Sequence, residues 1–277
     1  MLICEATLLA RKMKERVEFV TQDSSQFLLA CKFIDWVSPE FYRDMAHKEG
    51  LWKGFKNIDF GSDEKALADY YEHPETNTLG LEINEYAALK LNNEIVDLVK
   101  WDGNKNEVIK YKNQNSDFFG QVKPLNDQQK MLFDLLQNRN IPVKIVRGQF
   151  GSGKTFLALV HAMNYVKWHT FDKIVYVRNN VEVAGSQKLG ALPGEQNEKL
   201  MPWIMPLVDH LGDQEALIQA IDNGEIEPVH LGYLRGRNFQ HSIIFVDEAE
   251  NLTTDNVKLI IARAEKGSEV WFLGDES

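Results

Sequence analysis

Cysteine is scarce in this chain: Cys4 and Cys31 are the two in 277 residues, and they form no CxxC pair. That excludes a disulfide scaffold and a cysteine-rich zinc module, and it fits free thiols in a reducing compartment. Long apolar runs are missing too. None approaches the ~18 residues of a membrane span, so no membrane partner is expected. The seven histidines show no ligand spacing with one another, so no zinc is expected. There is no internal repeat and no low-complexity tract. The N-terminus, MLICEATLLARKMKER, is briefly apolar, but its positive charges follow the apolar stretch, which is wrong for a signal peptide. A cytoplasmic protein is expected. Positive charge is in deficit as well, 31 − 41 = −10. A whole-surface coat for nucleic acid is therefore excluded, while a basic groove in one cleft is not.

What is present is an ordinary globular composition, with 44% hydrophobic and 26% charged residues. The length suits one large domain or two modest ones. Residues 1–37 read as helix (Glu5 to Arg16), strand (Val17 to Val20) and a second helix from Ser24 or Ser25. Residues 38–78 read as irregular, broken by Pro39, Gly50, Gly54, Gly61 and Pro74. In 79–112, EYAALKL, EIVDLVKW and EVIKYK read as short strands, with Asp102-Gly103 as a hairpin turn. From Val122 the pattern changes. LNDQQKMLFDLLQN is an amphipathic helix starting near Asn126. Five apolar runs then alternate with helices: VKIV (143–146), KIVYV (173–177), IEPVHL (226–231), IIFV (243–246) and VWFL (270–273). Such runs predict an α/β fold whose parallel sheet is covered on both faces.

GQFGSGKT, Gly148 to Thr155, fits G-x-x-x-x-G-K-[ST] between an apolar strand and an amphipathic helix. Gly148, Gly151 and Gly153 let the backbone wrap a phosphate, with Gln149, Phe150 and Ser152 completing the loop and Phe156 following it. Lys154 offers a mobile cation to β and γ phosphates, and Thr155 a hydroxyl to Mg²⁺. In IIFVDEAENL, Asp247 is placed to hold Mg²⁺ and Glu248 to polarise an attacking water, which favours hydrolysis over transfer to a hydroxyl. The alternative is that both carboxylates merely cap the next helix. In VWFLGD, Asp275 approaches the γ-phosphate if its strand lies between the two motif strands; otherwise it begins a turn. Lys154, Asp247 and Glu248 are thus the candidate catalytic residues.

These segments, with LGALPG, EKLMPW and YLRGR between them, resemble the PhoH-like family of P-loop ATPases. The resemblance implies a RecA-like fold, ATP and Mg²⁺ as ligands, RNA (single-stranded or structured) as a partner, helicase-like coupling, and a homo-oligomer such as a hexamer. It also implies that a glutamine before the P-loop reads adenine, and the N-x-x-Q spacing assigns this to Gln129. Upstream, VEFVTQDSSQFLLACKFI resembles the end of a PIN nuclease domain, with Asp23 at a metal-binding position. One carboxylate cannot organise two-metal hydrolysis, so a loop aspartate is the better reading and no ribonuclease activity is expected. The implied organisation is a PIN-like remnant over 1–37, a linker and small β segment (hairpin or barrel) over 38–118, and the ATPase over 119–277. The family pattern continues beyond Gly274-Asp275 to a glutamine and an arginine, so a C-terminally truncated domain with low turnover is expected. An ATP-dependent switch, or the ATPase half of a PIN-type ribonuclease, are the competing functions.

Other residues stay open. Arg178, Arg235 and Arg237 could contact phosphates or pair with acids. Trp52, Phe55, Phe60 and Trp203 could stack bases, though packing is their commoner use. Lys105, Lys110 and Lys112 read as a solvated face that could also touch RNA.

Overall fold

The chain divides into two units, Met1–Gly54 and Phe55–Ser277. The computed structural model describes residues 2–21, 29–33, 35–41, 53–117, 119–178 and 204–275. In the first unit, α1 (Leu2–Met13) leads to β1 (Val17–Thr21), which pairs in parallel with β2 (Val37–Phe41). Ile3, Ala30 and Val37 form its small core. The helix ends at Met13, three residues before the expected Arg16, because Lys14, with φ of 57°, leaves the helical region. Asp23 and the start of the helix expected from Ser24 or Ser25 lie outside the described residues, as do Trp52 and Trp203; within that expected helix, Leu29 and Ala30 are helical and Cys31–Phe33 form a 3-10 turn.

The stretch 38–78, expected to be irregular, holds most of β2 together with β3 (Phe55–Asp59) and α2 (Glu64–Glu72). Pro39 hid β2, yet a strand at a sheet edge tolerates a residue without an N–H. The start of α2 is set by Asp63, whose carboxylate accepts the Ala66 N–H at 2.9 Å. Next come β4 (Tyr86–Leu91), β5 (Glu94–Trp101) and β6 (Asn106–Val108). The order β3-β4-β5-β6 makes a sheet that is open among the described residues, so of the two expected forms they show the hairpin and no closed barrel. The β4–β5 turn is Asn92-Asn93, with φ of 52° and 66°, the two left-handed residues of a type I′ hairpin. At the β5–β6 turn, Asp102 Oδ1 accepts the N–H of Asn104 and of Lys105 at 2.7 Å each. Of EVIKYK, only Glu107 and Val108 are in the strand.

Both faces of this small sheet are buried. Ala87, Leu89 and Val99 pack with Tyr70 of α2, and Tyr86, Ala88 and Leu98 pack with Met131 of α3 (Asp127–Gln137). Asp134, on α3, is 3% exposed and accepts from Tyr86 Oη at 2.8 Å, Lys100 Nζ at 2.7 Å and the Lys110 N–H at 3.0 Å. This buried pair joins the small sheet to the helix that precedes the P-loop. A hairpin, β7 (Gln114–Ser116) with β8 (Gly120–Val122), lies between them in sequence.

The five apolar runs form β9 (Val143–Gly148), β10 (Lys173–Arg178), β11 (Ile226–His230), β12 (Ser242–Asp247) and β13 (Glu269–Asp275). They make one all-parallel sheet in the order β11-β10-β12-β13-β9. Tyr176, Phe245, Trp271 and Leu273 project to the face covered by α3, α4 (Lys154–Lys167) and α5 (Gln214–Asp222). Val177, Ile244, Val246 and Phe272 meet α6 (Thr254–Ile261) on the other. Each large side chain so buried contributes about 1.5–3 kcal/mol. At the opposite end from the P-loop, Glu269 of β13 pairs with fully buried Lys144 of β9 and accepts from Trp271 Nε1 at 2.8 Å.

Candidate functional site

Gly148, Asp247 and Asp275 each end a strand at the C-terminal edge of the large sheet, where open α/β sheets take their ligands. The chain leaves β9 at Gly148 and re-enters helix at Lys154. Gly151 and Gly153 have φ of 76° and 81°, conformations that L side chains rarely adopt. A Cβ on Gly148 would meet Ser152 Oγ at 3.1 Å. Gly153 caps α4 without any side-chain hydrogen bond, so side chains leave the helix's first N–H groups open to an anion.

The central strand decides the geometry. Because β13 lies between β9 and β12, Asp275 aligns with Gly148 and pairs with Lys154 Nζ. On β12, Asp247 is 8% exposed; its Oδ1 accepts from Thr155 Oγ1 at 3.3 Å and its Oδ2 from Tyr176 Oη at 2.8 Å. Burial, then the Asp247 charge, push the Tyr176 phenol well above its usual range, so it stays a donor. Hard oxygen donors from Asp247 and Thr155 suit Mg²⁺, which keeps water and phosphate oxygens for its other positions. Among the described residues no group of three or more His, Cys, Asp or Glu could hold a metal by itself.

Glu248 has φ of 51° and makes no side-chain cap; the following helix is capped instead by Thr253, whose hydroxyl accepts the Asn256 N–H at 3.3 Å. Asp247 and Glu248 therefore do not serve as its caps. Glu248 pairs with Arg178. Gln129 reaches the loop from α3: its Oε1 accepts the Leu125 N–H at 2.7 Å, and its Nε2 donates to Ser152 O at 3.1 Å. Beside it lies a cleft of about 680 Å³ lined by Phe119, Lys123, Leu125, Gln129 and Phe156 with the loop backbone. Phe119 stands edge-on to Phe156, centroids 5.2 Å apart. Phe150 and Gln149 are exposed.

Other sequence candidates fall elsewhere. Arg237 pairs with Glu227 and lies over Phe239, and Arg235 is exposed. Phe55 and Phe60 pack into the small sheet's clusters. Lys105, Lys110 and Lys112 are exposed. The sequence reading missed Tyr176, Glu250 and Phe119. Glu250 Oε2 accepts the Asp275 N–H at 3.0 Å, tying the Glu248 turn to β13. Tyr176 reads as core within KIVYV; its hydroxyl was the available signal, since a buried phenol needs a partner.

A family model described as PhoH-like protein matches residues 121–277, more than half of the chain. The chain belongs to the PhoH-like family. Protein PhoH2 of Bacillus subtilis is 36% identical over 164 residues, covering 56% of this chain and 36% of that protein. A PhoH-like protein of Mycobacterium leprae is 35% identical over 157 residues, covering 56% and 44%, and one of Synechocystis is 33% identical over 151 residues, covering 53% and 45%. The chain thus spans less than half the length of these relatives. The PhoH-like region carries the five-strand parallel sheet of a RecA-like P-loop NTPase. Membership suggests a P-loop ATPase with nucleotide and Mg²⁺ as ligands.

Proposed function

We propose that the chain binds ATP with Mg²⁺ at the Gly148–Thr155 loop, hydrolyses it, and couples the cycle to RNA. The observation that carries this is the strand order, which brings Asp275 and Asp247 against Lys154 and Thr155 of the P-loop, with Glu248 following Asp247 at the same sheet edge. In this reading the N–H groups of the loop and of the start of α4 cradle the phosphates. Lys154 leaves Asp275 for the β and γ phosphates. Thr155 and Asp247 would hold Mg²⁺, which when bound neutralises charge developing on the phosphate oxygens. Glu248 orients a water and takes its proton. Gln129 and the Phe119–Phe156 cleft take the adenine.

RNA coupling is the finer part of the reading. It is supported by family kinship and by exposed Lys105, Lys110 and Lys112, and it predicts ATP turnover that rises with RNA. A turnover unmoved by RNA favours the switch reading. A homo-oligomer, with a hexamer as its family form, is checked by light scattering. Residues 1–37 are read as the end of a PIN-like domain from VEFVTQDSSQFLLACKFI, with β1 on its VEFV; the chain is expected to cleave no RNA with Mn²⁺.

The test of the site is calorimetry and turnover on three chains. Lys154→Ala should lose ATP binding. Glu248→Gln keeps its shape and should bind ATP while turnover falls about 10²–10⁴-fold. Equal ATP affinity in wild type and Lys154→Ala refutes the reading.

A further inference from the structure

The mechanism above leaves one charged group unused. Arg178 ends β10, in register with Asp247 at the end of β12, so it stands at the same sheet edge as the P-loop. Its guanidinium pairs with the Glu248 carboxylate, and the side chains are 23% and 38% exposed. Glu248 is held there by its backbone as well. Its left-handed φ of 51°, rare for a residue with a side chain, turns it out of line with β12, and Glu250 fastens that turn to β13. The carboxylate assigned to the water is thus occupied by a cation one strand away.

We infer that Arg178 is a γ-phosphate-gated positioning residue: it holds Glu248 while the γ-position is empty and gives it up when a γ-phosphate takes the guanidinium. This rests on the reading of Glu248 in the proposed function. A guanidinium binds phosphate oxygens through two parallel N–H bonds, so a γ-phosphate competes well with one carboxylate. The same exchange operates at Lys154, which pairs with Asp275 and must leave it to reach a phosphate. The two exchanges differ in what they sense. Lys154 meets any nucleotide carrying a β-phosphate, whereas Arg178 responds to the γ-phosphate alone. Glu248 is therefore released to orient water only with ATP in place, and is recaptured after the phosphate departs.

The inference predicts a linkage that a structural ion pair does not produce. Opening the Arg178–Glu248 pair opposes ATP binding and leaves ADP binding alone. Removing the Glu248 charge should then tighten a γ-phosphate ligand. Affinities for Mg²⁺ with a non-hydrolysable ATP analogue, and for Mg²⁺ with ADP, are measured by calorimetry on the 277-residue chain. Glu248→Gln should bind the ATP analogue roughly fivefold tighter or more, with ADP unchanged. Arg178→Ala should weaken the analogue and not ADP, and in its background Glu248→Gln should have no further effect. Arg178→Lys, which keeps a cation and guards against misfolding of the alanine variant, should fall between wild type and Arg178→Ala. An analogue-to-ADP ratio unmoved by Glu248→Gln, or the same gain with Arg178 already removed, overturns the inference while nucleotide binding by the wild type stands. A wild type that binds neither nucleotide instead overturns the reading beneath it, and the inference with it.

Discussion

His161 sends its imidazole from α4 into the interior, 1% exposed and edge-on to Phe133. Its Nδ1 lies 2.7 Å from Leu157 O and its Nε2 3.2 Å from Gln137 Nε2. The carbonyl requires a protonated Nδ1, so Nε2 accepts from the Gln137 amide and the ring is neutral. Burial pushes its pKa down to about 4, against 6.5 for the ordinary side chain. The unfolded chain therefore binds the extra proton between those values. The stability from neutral burial is full above pH 6.5 and is lost as pH falls towards 4, by ~3 kcal/mol in all. Thermal melts of wild type and His161→Gln over that range should show the wild type with the steeper acid slope; parallel slopes refute the assignment. Gln129 is a second residue with a visible commitment. Both ends of its amide are engaged by Leu125 and Ser152, so it shapes the loop as well as facing the cleft. Gln129→Ala should lower the preference for ATP over GTP, read as a ratio of dissociation constants, through the loss of an amide matched to adenine N6 and N7. An unchanged ratio removes the adenine role.

The link between small sheet and α3 turns on one buried carboxylate. Asp134→Ala would leave the Lys100 ammonium, 11% exposed, without its counter-charge, and the Tyr86 hydroxyl without its acceptor. Breaking such a pair from one side costs about 3–5 kcal/mol, and urea unfolding should show a loss of that size. A loss under about 1 kcal/mol would mean the pair is solvated like a surface one. The elements differ in how far the sequence announced them. The five large-sheet strands were legible because both faces are buried, which writes an unbroken apolar run. Asn126 was legible as the start of α3 because its side chain accepts the Gln129 N–H, a cap written in the sequence. By contrast β3 reads FKNID and has no apolar run, since it is an edge strand. At the site, the P-loop, Asp247 and Asp275 were legible from spacing and strand ends. Tyr176 and Glu250 were not, because each acts on a residue of another strand, and which strands are neighbours is a property of the sheet order.

At the scale of the whole molecule, the division at Gly54 and Phe55 makes an independent prediction. The sheet, the P-loop and the buried Asp134 pair all belong to Phe55–Ser277. Residues 55–277 expressed alone should melt in one cooperative transition and bind Mg²⁺ with ATP as tightly as the full chain. A shorter piece that binds tenfold more weakly would give the first unit a part in the site. Among the described residues no helix is long and apolar enough to cross a membrane. The position of β13 has a further consequence, for synthesis. Among the described strands β9, which leads into the P-loop, pairs with β13 alone, and their paired residues Val143 and Val270 are 270 − 143 = 127 positions apart. On a ribosome adding 5–20 residues per second, the loop emerges roughly 6–25 s before the strand that anchors it. Throughout that interval the nascent chain carries a glycine-rich turn on a strand without its β13 partner, and β10, β11 and β12 are made before the interval closes. Nucleotide thus meets no binding edge with Asp275 in place on a growing chain until β13 threads between β9 and β12, both made before it.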